Sequence, residues 1–158
     1  MNTKELDGYL KFLSEKQTAV QESGFDVEDS DLSPQLFPFQ KYCVKRALKV
    51  GRFAMFEDCG LGKTYQQLEW AQQVVNHINK PVLILAPLGV IGQTIKEGVH
   101  FGYKVTDIVL TTFDQDLAAG IYITNYDNMD NIDAYLFGGV VLDESSILKN
   151  FAGKTRTA

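Results

Sequence analysis

A nearly continuous apolar run, PVLILA at 81–86, constrains the fold more than any other feature of this sequence. A strand built from such a run has no polar face to turn to water, so it must be covered on both sides. Further short runs rich in apolar residues lie at 52–56, 104–110, 121–124 and 139–144. Strands of this kind are typical of parallel sheets, whose connections are helices packed on the sheet.

Helical patterns separate these apolar runs. Apolar residues recur at helical spacing over 64–79, over a shorter stretch at 91–102, and over 40–50, where Gly51 provides a helix stop. The alternation of strands and helices predicts an α/β fold with a mainly parallel sheet between helices.

The N-terminal part of the chain has a different pattern. Leucines at helical spacing within 3–22 predict an amphipathic helix, and the acidic stretch at 21–34 predicts a linker or a surface loop. We therefore expect an N-terminal helix and acidic linker over 1–33 and the main domain over 34–158.

Composition limits the kinds of protein that the chain can be. Its 158 residues, 45% of them hydrophobic, suffice for one domain with a core. The net charge of -5 argues against binding nucleic acid through bulk electrostatics. Two cysteines without metal-ligand spacing indicate reduced thiols, and no apolar stretch is long enough to span a bilayer. We expect a cytoplasmic protein without a membrane partner.

The sequence GLGKT follows one of the apolar runs and precedes a helical pattern. In that setting, successive backbone amides and a helix N-terminus converge on a phosphate. Glycines allow the tight loop, the lysine neutralises the outer phosphates, and the threonine hydroxyl binds Mg²⁺. The alternative is an ordinary glycine-rich turn with an exposed lysine. The predicted phosphate loop comprises Gly60, Leu61, Gly62, Lys63 and Thr64.

An acidic pair follows the last apolar run, in GVVLDESS. Asp143 can hold Mg²⁺ through water, beside Thr64, and Glu144 can orient or deprotonate an attacking water. Adjacent acids also occur in ordinary loops, but this pair and the phosphate loop each predict the other. Lys63, Asp143 and Glu144 are therefore the candidate catalytic residues, and ATP and Mg²⁺ are the expected ligands.

The motifs GLGKT, VLILAPLGVI, ITNY and VVLDESSILKN resemble, in order and spacing, motifs I, Ia, Ib and II of superfamily 2 helicases, most closely the Swi/Snf-like translocases. The resemblance covers about residues 36 to 157. It implies the N-terminal RecA-like lobe of a P-loop NTPase that hydrolyses ATP to move on DNA. The ending at 143–158 resembles helicases of phages and integrated elements, some of which are linked to DNA methylases, so a methylase is a further expected partner.

The resemblance also implies roles for residues outside the phosphate loop. LFPFQ matches the Q motif, which makes Gln40 the candidate reader of adenine, although it can equally be the polar start of a helix. Motifs Ia and Ib imply contacts to the nucleic-acid backbone, where cap or turn roles are the alternative. Those candidates are Gln93, Thr94, Thr124 and Asn125.

This sequence departs from the family pattern at three places. Glu57 stands where the phosphate loop usually begins with glycine or alanine, and Ser146 stands where the acidic box usually has histidine. The sequence also ends before the next motif and before the second lobe, which carries the arginine finger. We therefore expect a truncated lobe that binds DNA weakly, hydrolyses ATP slowly or not at all alone, and has an incomplete sheet.

The incomplete sheet leaves a gap between the predicted strands at 52–56 and 139–142. We expect these two strands to pair directly or to accept a strand from another copy. An alternative function is a non-hydrolysing module that binds nucleotide or a partner in a DNA methylase or restriction complex. A small-molecule P-loop kinase is least favoured, because the chain has few arginines to form a lid.

Overall fold

The computed structural model describes residues 22–58, 60–108 and 117–144. These ranges contain three α-helices, four strands and two short 3-10 helices. The helices are α1 (Pro38–Val50), α2 (Lys63–Ile78) and α3 (Leu88–Phe101), and the 3-10 helices are Tyr126–Asn131 and Ala134–Leu136. The strands are β1 (Val82–Ala86), β2 (Val105–Asp107), β3 (Ile121–Asn125) and β4 (Gly139–Leu142). The helix expected over 3–22 lies, but for its last residue, outside the described residues.

The four strands form one parallel sheet in the order β2-β3-β1-β4. Strand β1 lies inside the sheet, and Val82 is level with Ile121 of β3 on one side and with Gly139 of β4 on the other. All five residues of β1 are buried, as its apolar run predicted. The predicted α/β fold with a parallel sheet between helices is confirmed, and the arrangement is consistent with a RecA-like fold.

The two faces of the sheet are covered differently in the described residues. On one face, Val82 and Ile84 belong to a core cluster that also contains apolar residues of all three α-helices. On the other face, Leu83 and Leu85 pack with Tyr126 and other residues of the 3-10 helix region. The period of two along β1 therefore divides the core into two layers.

The strand expected at 52–56 is not formed, which corrects the prediction. Its aromatic side chains are exposed, Phe53 by 46% and Phe56 by 94%. Strand β4 was expected to be buried on both faces but lies at the edge of the sheet, where Val140 and Leu142 are 40% and 45% exposed. An apolar run becomes a strand only when a neighbour completes its backbone hydrogen bonds, and no described strand does so here.

The predicted direct pairing of 52–56 with 139–142 is therefore also wrong. A groove of about 440 Å³ lies between the two segments instead, and its lining is mainly apolar, including Phe53, Met55 and Trp70. The helices of the described ranges include none that is long and apolar enough to cross a membrane.

The described part of the acidic segment packs on the end of α1. The amides of Ser23, Gly24 and Phe25 donate to carbonyls of the last turn of the helix. At Gly24, a Cβ atom would lie 1.7 Å from the carbonyl oxygen of Leu48, so only glycine permits this approach. Farther along the segment, Leu32 is buried in the core cluster.

Candidate nucleotide-binding site

The predicted phosphate loop leads directly into α2. Gly60 and Gly62 have φ values of 83° and 75°, in the left-handed region that glycine adopts without strain. Gly62 is the N-cap of α2 and has no side chain to bind the amides of the first turn, which also contains no acidic residue. Because the first amides of a helix have no intrahelical acceptor, this end of α2 is suited to a phosphate.

Lys63 is the first residue of α2, and its ammonium group contacts the start of the loop. Its Nζ donates to the carbonyl oxygen of Glu57 at 3.0 Å. Thr64 follows and is half-buried. The lysine therefore closes the loop on itself in this structure, and its cation lies within the loop whose backbone would surround a phosphate.

Two glutamines hold the loop from the side of the helices. Gln40, which is buried in α1, donates from Nε2 to the carbonyl oxygen of Leu61 at 2.9 Å and accepts from the amide of Phe37 at 2.9 Å. Gln66 donates from Nε2 to Glu57 Oε2 at 2.8 Å and to the same Leu61 oxygen at 3.3 Å. A Cβ atom on Gly62 would lie 2.5 Å from Gln40 Nε2, so the loop passes close to this amide.

The sequence did not identify Gln66 or its neighbour Gln67 as part of the site. Both lie three to four residues after Lys63, on the side of α2 that faces the loop and the sheet, and that spacing is the signal that could have found them. Gln67 donates from Nε2 to Asp143 Oδ1 at 2.8 Å. This bond connects α2 to the acidic pair and brings the two halves of the predicted site together.

Asp143 directly follows β4, and its amide donates to the carbonyl oxygen of Leu85 at 2.8 Å. Its own carbonyl oxygen accepts from the Tyr126 hydroxyl at 2.7 Å. Burial, followed by the negative charges of Asp143 and Glu144, raises the pKa of Tyr126 to about 12. Glu144 is exposed and has a φ of 51°, an uncommon conformation for a residue other than glycine and one that recurs at functional sites.

The donor set fits Mg²⁺ bound together with a nucleotide. No cluster of three or more histidine, cysteine or acidic residues able to hold a metal occurs within 22–58, 60–108 and 117–144. Mg²⁺ commonly takes only one or two protein carboxylates and completes its shell with phosphates and water. Asp143 offers one such carboxylate, and Gln67 orients one of its oxygens. The hydroxyl of Thr64 is the second candidate protein ligand.

The four candidate nucleic-acid residues differ in exposure. Gln93 is exposed and donates to Glu97, whereas Thr94 is 2% exposed and its hydroxyl donates to the carbonyl of Val90 within α3. Thr124 is 1% exposed. Its hydroxyl accepts from Asn128, and the half-buried Asn125 has an Oδ1 atom that is buried without a partner. Their contacts to nucleic acid stay predictions.

Comparison with known proteins gives weak similarity to two SWI/SNF-related proteins. The chain is 30% identical over 139 residues to the SWI/SNF-related matrix-associated actin-dependent regulator of chromatin subfamily A-like protein 1 of Xenopus laevis. It is 28% identical over 155 residues to the protein of the same name from Xenopus tropicalis. The similarity is to SWI/SNF-related proteins.

The aligned parts are 77% and 85% of this chain, but only 13% and 15% of the two relatives. No family model matches the chain. The match agrees with the resemblance to the Swi/Snf-like group that the motifs carry, and it concerns a small part of each relative.

Proposed function

We propose that this chain is the ATP-binding lobe of a Swi/Snf-like DNA translocase, in which ATP hydrolysis drives movement on nucleic acid. The observation that carries the proposal is the hydrogen bond from Gln67 to Asp143, because it places the acidic pair beside the N-terminus of α2. The similarity to SWI/SNF-related proteins and the parallel sheet support the same assignment.

Each residue has a distinct task in this proposal. Lys63 leaves the carbonyl of Glu57 and contacts the outer phosphates, while the amides from Gly60 to Thr64 bind their oxygens. Thr64 and Asp143 would hold Mg²⁺, which would supply positive charge to neutralise the phosphates. Glu144 would orient or deprotonate the attacking water.

The proposal also assigns residues to the adenine of ATP and to the DNA backbone. Gln40 recognises the adenine edge, which requires its amide to exchange one of its present contacts with Phe37 and Leu61. The DNA backbone is contacted through the segments of Gln93 and Asn125. Rapid hydrolysis further requires a second RecA-like lobe, which supplies an arginine finger. In other NTPases, loss of the arginine finger lowers the hydrolysis rate by about 10³- to 10⁵-fold.

Titration calorimetry with Mg-ATP tests the nucleotide site. Lys63→Ala should weaken binding by about tenfold or more, because it removes the one cation within the loop. Lys96→Ala, which removes an exposed lysine of α3, is the matched control and should bind as the unchanged chain does. Equal affinities for the unchanged chain and Lys63→Ala would refute the assignment.

A second candidate function rests on the apolar groove between 52–56 and β4, which lies beside the proposed site. It is a non-hydrolysing module that binds nucleotide and a partner within a DNA methylase or restriction complex. The two candidates differ in turnover. DNA-stimulated ATP hydrolysis by the complete protein supports the translocase, and tight ATP binding without turnover supports the module.

A further inference from the structure

The first residue of the phosphate loop makes contacts that glycine or alanine could not make. The carboxylate of Glu57 accepts from Gln66 Nε2 at 2.8 Å, and the Cys43 thiol of α1 lies against it. Burial and then the hydrogen bond and charge of Glu57 raise the pKa of that thiol. The carboxylate therefore lies between α1 and α2 instead of extending into solvent.

Gln66 contacts two residues of the loop at 57–64 with one nitrogen atom. The side chain is fully buried, and its Nε2 donates to Glu57, the first residue of the loop, and to Leu61, the fifth. Its Oε1 atom is buried and has no hydrogen-bond partner among the described residues. Turning the amide over would place this oxygen against two acceptors, so the two bonds fix its orientation.

The direction of these bonds decides where the loop amides point. In a trans peptide the carbonyl and the following N–H point in opposite directions. Because the Leu61 carbonyl points to Gln66 and Gln40, the amide of Gly62 points away from the helices. An anion bound on the open side of the loop requires amides that point away from the helices, as that of Gly62 does.

We propose that Glu57 and Gln66 are a positioning pair that holds the phosphate loop in its anion-binding conformation. The inference rests on the proposed nucleotide site and deepens it. Neither side chain contacts the substrate. Gln66 binds the first and the fifth residue of the loop. The Glu57 carboxylate orients the Gln66 amide, and this contact holds the charge of Glu57 against the helices and away from the phosphates.

The test exchanges donor and acceptor within the pair. Gln66→Glu places a second carboxylate against Glu57 and removes the shared donor. It should weaken Mg-ATP binding by about tenfold and increase amide hydrogen exchange in the loop of the nucleotide-free chain. The double variant Glu57→Gln with Gln66→Glu restores one hydrogen bond in the reverse direction, and it should recover most of both losses.

A matched control is available on the same helix. Gln72→Glu makes the same chemical change at a half-exposed position whose amide donates to Asn76, one turn along the helix, and it should leave affinity and amide hydrogen exchange of the loop unchanged. Thermal unfolding is followed for every variant. If Gln66→Glu does not fold, Glu57→Ala takes its place. Glu57→Ala should lose Mg-ATP affinity and protection of the loop amides from exchange, whereas Glu57→Gln should retain both.

The outcomes separate this inference from the proposed function. The inference would be overturned if amide hydrogen exchange of the loop were unchanged in Gln66→Glu. It would also be overturned if the double variant bound Mg-ATP no more tightly, and protected the loop amides no better, than Gln66→Glu does. If the unchanged chain does not bind ATP, the proposed function fails, and the exchange measurement on the nucleotide-free chain still decides whether the pair shapes the loop.

Discussion

Glu69 should be the acidic residue on which folding depends most. It is 2% exposed on α2 and belongs to the core side of the helix, yet no lysine or arginine pairs with it in the described part of the chain. Its carboxylate instead accepts three hydrogen bonds. They come from Gln73 Nε2 at 2.8 Å, the amide of Ser33 at 3.2 Å, and the hydroxyl of Tyr103.

The size of the effect follows from these three donors. Glu69→Ala removes the acceptor of all three bonds, although the second N–H of Gln73 keeps the carbonyl of Asp31 at 2.7 Å, and a buried N–H or O–H group without a partner costs about 1–3 kcal/mol. The amide of Ser33 is only partly buried and can reach water, so we expect a total of about 3–5 kcal/mol in the free energy of unfolding. Glu69→Gln keeps one acceptor oxygen for two of the donors and should cost about 1–2 kcal/mol.

Urea unfolding measures these differences. Glu97→Ala is the matched control, because Glu97 lies on α3 and accepts one exposed bond from Gln93, so its loss should stay within about 0.5 kcal/mol. A cost below about 1 kcal/mol for Glu69→Ala would refute the reasoning. So would equal costs for Glu69→Ala and Glu69→Gln, because the negative charge and not the hydrogen bonds would then stabilise the fold.

Two remaining predictions concern pH and nucleic acid. The folded state raises the pKa of Tyr126 from 10.0 to about 12, so this residue stabilises the fold fully below pH 10 and loses that contribution as the pH rises toward 12. Tyr126→Phe should therefore make the alkaline loss of stability in urea titrations smaller, and an unchanged loss would contradict this. Binding to DNA in fluorescence anisotropy should be weak, roughly 10⁻⁴ M or worse near physiological salt, and tight, salt-resistant binding would be incompatible with the net charge of -5.

The fold was predictable where burial alone decides the structure. The run at 81–86 has no polar face, and β1 is accordingly an inner strand with neighbours on both sides, as β3 also is. The run at 52–56 is apolar after Arg52 but forms no strand, because a strand also depends on hydrogen bonds to a neighbour that is distant in sequence. For the same reason the edge position of β4 could not be read from its own residues.

The site residues likewise divide into those that local sequence identifies and those whose partners are distant in sequence. The glycines and the lysine of the phosphate loop were identified because their chemistry is local, within five consecutive residues. Gln67 could not be identified in this way, since its partner Asp143 is 76 residues away and the sequence alone does not place the two side by side. Glu69 was overlooked because a charged residue in a helix is expected to face solvent.

The residues that the sequence did not identify lie on helix α2 and share one structural role. Four of its polar side chains are buried, and they connect three parts of the chain to the helix: Gln66 the phosphate loop, Gln67 the acidic pair, and Glu69 with Gln73 the segment at 31–33. Three of the four are neutral amides, whose burial costs less than that of a charge and whose hydrogen bonds are directional. A purely apolar face would hold α2 on the sheet equally well, but it would not fix the loop and the acidic pair in register with the helix. The polar residues of α2 therefore account for the geometry of the site, and the apolar residues between them account for its position on the sheet.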